Sequence, residues 1–142
     1  LKFRMMKNSY LLDTNICVHL LRGKFEVDKW IDNVGFENCY ISEITVAELK
    51  YGSELGRQMG YHGKDERLSE FLSAINVLPI INVLDLFASE KARLRLAGTP
   101  ADDNFDLLIG CTSVYYGMSM VTENVKDFKN IGNIKIENWI KR

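Results

Sequence analysis

Short apolar runs alternate along this chain with segments of helical length and periodicity, and no tight two-residue turn joins one run to the next. Tyr10–Asp13, Cys39–Ile41, Asn76–Val83, Met118–Thr122 and Ile134–Glu137 read as strands or β-rich stretches. Between them, helices are predicted from Thr14 or Asn15 to the stop at Gly23, over Glu26–Asn33, and over Glu43–Leu55 with Ser42 as N-cap. Further helices are predicted over Lys64–Ile75, over Asp85–Ala97 with Gly98-Thr99-Pro100 ending it, and over Asn104–Tyr116 with Gly117 closing it. Residues 56–63 hold three glycines among polar residues and are expected to form a turn or loop. Strand–helix alternation without hairpins implies βαβ units, hence an α/β fold with a parallel sheet flanked by helices. At 142 residues the chain is expected to be one domain, residues 1–142, with no linker or repeat.

Three of these segments carry a carboxylate against an apolar run: Leu11-Leu12-Asp13, Val46-Ala47-Glu48-Leu49 and Phe105-Asp106-Leu107. Charge in apolar surroundings is costly unless something positive compensates it. A hard divalent cation, which takes oxygen ligands, is the usual compensation for several acids together. In a parallel sheet the ligand site lies beyond the carboxyl ends of the strands, where Asp13 stands and where Asp106, in the first turn of its helix, is able to reach. Glu48 lies on the apolar side of its helix, away from Glu43, Lys50 and Glu54. Each acid has a structural alternative: Asp13 as N-cap, Asp106 as a helix-start charge with Asp103 as cap, and Glu48 reaching a Lys or Arg.

A net charge of −1 argues against a protein that coats nucleic acid by charge alone, but not against an acidic metal pocket with a basic rim. No apolar run is long enough for a membrane span, and a cytoplasmic location is expected. Cys17, Cys39 and Cys111 have no metal-ligand spacing and read as reduced core thiols.

The ordered segments Leu11-Leu12-Asp13-Thr14-Asn15, Ile41–Gly52, Gly98-Thr99-Pro100, Phe105–Gly110, Val121-Thr122-Glu123-Asn124 with Asp127-Phe128, and Ile136-Glu137-Asn138-Trp139 together resemble the PIN-domain nucleases. Within that family the resemblance is strongest to the VapC toxins of bacterial toxin–antitoxin pairs. It implies a PIN-like three-layer α/β/α fold with a central, mostly parallel sheet of four to five strands. It implies an endoribonuclease dependent on Mg²⁺ or Mn²⁺, cleaving tRNA- or rRNA-class RNA to leave a 5′ phosphate on the downstream product. Carried over by position, the metal-binding acids fall on Asp13, Glu48 and Asp106, and the fourth catalytic position on Asn124. Thr14, Asn15 and Thr122 match supporting polar positions. Because Asn124 brings no charge, Asp127, Glu123, Asp102 or Asp103 are alternatives for completing the site. Gly110-Cys111 replaces a pair that is often Ala-Ala. The implied partners are RNA, a VapB-like antitoxin whose Arg or Lys blocks the acids, and a second copy in a homodimer. Residues 22–30 and 56–64 are expected at the edges of the antitoxin groove, and Phe25, Trp30, Tyr51 and Tyr61 are possible base-stacking residues. His19 is expected to be a surface or core residue without catalytic duty.

Other readings of the same residues are a PIN nuclease of RNA processing without an antitoxin, and a non-catalytic binding module in which Asn124 marks lost activity. A phosphorylation receiver also gathers acids at strand ends, but needs an acidic pair where this chain has Leu12-Asp13.

Overall fold

In the computed structural model, which describes residues 8–61, 63 and 65–142, five short strands form one all-parallel sheet. The strands are β1 (Tyr10–Leu12), β2 (Cys39–Ser42), β3 (Asn76–Leu78), β4 (Ser119–Val121) and β5 (Lys135–Glu137), in the spatial order β3-β2-β1-β4-β5. Side chains alternate across the sheet, and both faces are covered. Tyr10, Leu12, Cys39, Ile41 and Val121 point into one apolar layer; Leu11 and Met120 are buried in the other, with Tyr40 packed beside them. That two-sided burial is why the strands read as apolar runs instead of alternating patterns.

The first layer is closed by α1 (Thr14–Leu21), α2 (Val27–Val34) and α4 (Asp65–Ala74), through Ile16, Cys17, Val27, Ile31, Leu68 and Phe71. Trp139 is buried there too, stacked on Trp30 at 5.3 Å. The second layer is closed by α5 (Leu84–Leu96), α6 (Asn104–Tyr115) and α7 (Val125–Phe128), through Leu94, Leu107, Ile109, Cys111 and Phe128. The helix α3 (Glu43–Gln58) serves both layers, Leu49 in the first and Ile44 in the second. Gly110 lets α6 approach the chain after α7: an added Cβ would run into the Ile131 side chain. The glycine at this position therefore has a packing reason.

Three expectations need correction. The helix starting at Glu43 continues to Gln58, so Gly56 is helical and the loop begins later. Backbone hydrogen bonding along α3 outweighs the small propensity cost of Gly56. Of the β-rich stretch 76–83 only Asn76–Leu78 is strand; Pro79 has no N–H to extend the ladder, and Ile81–Val83 form a 3₁₀ turn. The single-turn helix α7 carried no periodic signal and was not anticipated. Expectations for Leu1–Lys7, His62 and Lys64 lie outside the described residues.

Candidate active site

Chain order carries β1, β2 and β3 outward in one direction and then returns to place β4 on the other side of β1. The crevice between β1 and β4 is thus the topological switch point, where a parallel sheet opens to a ligand. Asp13 follows β1 there and Thr122 follows β4. The Asp13 N–H donates to the Val121 carbonyl at 2.9 Å, and Thr122 Oγ1 donates to Asp13 Oδ2 at 2.8 Å. Asp13 Oδ1 accepts from the Thr14 N–H at 2.8 Å, so the carboxylate also caps α1. The capping role and the placement at the crevice belong to one side chain.

Glu48 reaches the same place from α3. Its Oε1 accepts from Thr14 Oγ1 at 2.6 Å, and Thr14 Oγ1 also lies 3.1 Å from the hydroxyl of buried Thr45. Thr14 has one hydroxyl proton, and the shorter contact assigns it to the carboxylate. The structure gives Glu48 a hydroxyl instead of the Lys or Arg of the structural alternative. Asp106 stands in the first turn of α6, which Asp103 caps by accepting from the Phe105 and Asp106 N–H groups at 2.9 and 3.2 Å.

Burial pushes the Asp13 carboxyl up to about 6, against the lowering effect of its Thr122 and Thr14 hydrogen bonds, and the charges of Glu48 and Asp127 push it further. Burial likewise pushes Asp106 up to about 7, with added repulsion from Asp103, Asp13, Glu48 and Asp127. Asp13, Glu48 and Asp106 thus share one electrostatic neighbourhood, and Asp127 on α7 belongs to it. Asn124 is exposed; its backbone N–H donates to Thr122 Oγ1 at 3.0 Å, which steadies the hydroxyl that holds Asp13. Asn15 keeps a buried Oδ1 without a hydrogen-bond partner among the described residues, an acceptor left over in the first turn of α1.

The donor set is all oxygen, from carboxylates that repel one another, and it fits a hard cation. Among the described residues no three His, Cys, Asp or Glu side chains close around a single point.

Sequence reading missed a second network at the edge of this site. His19 Nε2 and Glu123 Oε1 lie 2.6 Å apart, Arg142 Nη2 donates to Glu123 Oε2 at 2.7 Å, and the Phe25 ring packs on both His19 and Arg142. His19 and Glu123 are 104 residues apart, so no local pattern marks the pair. Glu123 is engaged there and Asp103 at the α6 cap. Among the aromatic candidates, Trp30 and Phe25 have intramolecular ring partners, while Tyr51 and Tyr61 are largely exposed. The three thiols are buried, and burial raises all of them, Cys39 to about 11 and Cys111 to about 12. They are inert core groups.

A parallel sheet of this order, covered by helices on both faces and with acids near its switch point, has the PIN-like α/β/α architecture, and comparison with known proteins agrees. Residues 10–134 match the PIN domain, and the chain belongs to the PIN-domain family. It is 31% identical over 137 residues to ribonuclease VapC2 of Rickettsia felis, covering 93% of this chain and 98% of that protein. It is 29% identical over 131 residues to the tRNA(fMet)-specific endonuclease VapC of Salmonella typhimurium, covering 92% and 97%. Among solved structures, VapBC2 from Rickettsia felis bound to a promoter DNA fragment superposes with a TM-score of 0.79 at 29% identity, covering 92% of this chain and 98% of that one.

Proposed function

We propose that this protein is a metal-dependent endoribonuclease of the VapC type, the toxin of a toxin–antitoxin pair. The observation that carries the reading is the convergence of Asp13, Glu48 and Asp106 at the switch point, with hydroxyls from Thr14 and Thr122 fixing two of the three. Asp13, Asp106 and Glu48 would hold Mg²⁺ or Mn²⁺, with Asp127 the fourth carboxylate nearby. The bound ion would supply Lewis acidity toward the scissile phosphate and a water of lowered pKa. Thr122 and Thr14 keep the Asp13 and Glu48 carboxylates in fixed orientations, as outer-sphere hydrogen-bond partners of metal ligands do. Asn124 acts through its backbone, by steadying Thr122.

A VapB-like antitoxin has a natural seat. A groove of about 400 Å³ runs between α1, α3 and α4, with Val18, Leu21, Leu49 and Leu68 as its apolar bed and Arg22 and Lys24 at its rim. Those rim residues fall in the 22–30 stretch expected to border the antitoxin; of the 56–64 stretch, Gly63 lines the groove. The relatives solved as VapBC complexes support this partner class. A homodimer would cover Leu96 and Ile81, which are largely exposed on and beside α5. Among the described residues no helix is long and apolar enough to cross a membrane.

The test is cleavage of total bacterial RNA by purified protein, with Mg²⁺ or Mn²⁺ and with EDTA, beside Asp13→Ala. Discrete fragments that require both the ion and Asp13 are expected. Folded protein that binds Mn²⁺ and cleaves no RNA would point to the binding-module reading.

A further inference from the structure

A second cavity, of about 440 Å³, lies against the acids. Its floor is apolar and buried: Leu94 of α5, Leu107 of α6 and Ile131 after α7. Its mouth is polar and exposed: Thr99, Asp102, Lys126 and Asn130. Asp106 and Asp127 line it as well, and both are coupled by charge to Asp13. The cavity and the acid cluster therefore share a wall.

We infer that this cavity is a nucleobase subsite, receiving the base of a nucleotide that adjoins the phosphate held at the acids, with Asp102, Lys126 and Asn130 reading its edge. The inference rests on the nuclease reading above and names part of its substrate recognition.

Charge decides between the two halves of a nucleotide. Asp102, Asp103, Asp106 and Asp127 line the cavity with Lys126 as the only cation among them, so a phosphate is repelled and a neutral ring is not. An apolar floor below a polar rim fits a flat base with hydrogen-bonding groups on its edge. The rim residues are free for that task. Asp103 is committed to the first turn of α6, whereas the side chains of Asp102, Lys126 and Asn130 have no hydrogen-bond partner among the described residues. Asp102 does not figure among the charges that raise Asp106, which separates it from the metal-side acids. A carboxylate acceptor beside cationic and amide donors is complementary to a base edge carrying both an N–H donor and an acceptor, and the spacing of the two differs from base to base.

The experiment is cleavage of a short randomised RNA library with Mn²⁺ by wild type, Asp102→Asn, Lys126→Ala and Asn130→Ala, with the cut ends sequenced. The base distribution at one fixed position beside the cut should be uneven in wild type. Asp102→Asn should relax that preference roughly 5- to 150-fold, the range of one good base-edge contact. Mn²⁺ affinity, measured by calorimetry, should stay unchanged in all three variants. An even base distribution in wild type, a preference untouched by every variant, or Mn²⁺ affinity lost along with it would overturn the subsite. A second readout needs no turnover. The Asn130 side-chain amide resonances should shift on adding at least one of GMP, AMP, CMP and UMP in the presence of Ca²⁺; no shift with any of them overturns the inference. Shifts without RNA cleavage would leave the subsite standing and sink the nuclease reading instead.

Discussion

Asp13 and Glu90 are both buried carboxylates, and the fold treats them in opposite ways. Glu90, on α5, is fully matched. Arg93 Nε donates to its Oε1 at 2.8 Å, the Gly132 N–H donates to Oε2 at 2.6 Å, and Arg93 also reaches the Asn130 carbonyl at 2.9 Å. The Arg93 hydrogen bond holds the Glu90 carboxyl below its ordinary value despite burial. Asp13 has two donors but no cation among the described residues, and burial, with like charge from Glu48 and Asp127, raises its carboxyl to about 6. One carboxylate ties α5 to the loop after α7. The other is buried among like charges, a cost that the proposed cation would relieve.

The largest expected effect comes from removing the charge at the unmatched site. Asp13→Asn should lower RNA cleavage by more than roughly 100-fold, since changing the outer partners of a metal ligand already costs about 10- to 100-fold. The same variant should melt at a higher temperature than wild type in EDTA, because repulsion and desolvation of the charge are relieved. Cleavage at the wild-type rate, or a protein that is destabilised without metal, would break the contrast with Glu90.

Next in size is the pH dependence of the metal-free protein. The folded Asp13 binds its proton more tightly than the unfolded chain, so folding takes up a proton between the ordinary carboxylate value near 4 and the folded value near 6. Asp106 extends that window to about 7. Stability in EDTA should therefore fall as pH rises from 4 to 7 and level off above, with Asp13 alone contributing about 3 kcal/mol. Excess Mg²⁺ should flatten or reverse the slope. Glu90 has the opposite sign: its contribution is present above the ordinary carboxylate value and is lost only as pH falls through the depressed one. Denaturant melts across pH, with and without Mg²⁺, separate the two.

The matched carboxylate gives the converse. Glu90→Ala leaves the Gly132 N–H and the Arg93 guanidinium without their acceptor, at a cost of about 1–3 kcal/mol. That loss should be the same in Mg²⁺ and in EDTA. A loss that appears only with metal present would place Glu90 in the acid cluster.

The legibility of these groups from sequence follows from what each one contacts. Asp13, Glu48 and Asp106 stand out because a charge on an apolar face breaks a local period, and the period is set by the layers the sheet and helices bury. The sheet was legible for the same reason, since two-sided burial makes its inner strands read as continuous apolar runs. Asp127 offers less: it lies on a single exposed turn, and its tie to the acids is electrostatic and long-range. Asn124 was read for its side chain, and the structure adds a backbone hydrogen bond to Thr122 that sequence does not mark. The end of α3 was placed too early because Gly56 looks like a breaker although it lies within the helix.

Glu123 tests the comparison at its boundary, for it is a matched carboxylate inside the loop that carries Thr122. His19 and Arg142 hold its carboxyl below the ordinary range, as Arg93 does for Glu90. If Glu123 serves only to place the Thr122–Asn124 loop, Glu123→Gln should keep the contact to His19 and leave cleavage within about threefold of wild type, an exposed Arg contact being worth little. Glu123→Ala removes both contacts and should lower kcat by roughly tenfold, at the small end of outer-sphere effects, with KM for RNA little changed. Recovery in the glutamine variant separates positioning from charge. If Glu123→Gln instead weakens Mn²⁺ binding as much as Asp13→Asn does, Glu123 belongs with the unmatched acids, and the division between the two groups would have to be drawn elsewhere.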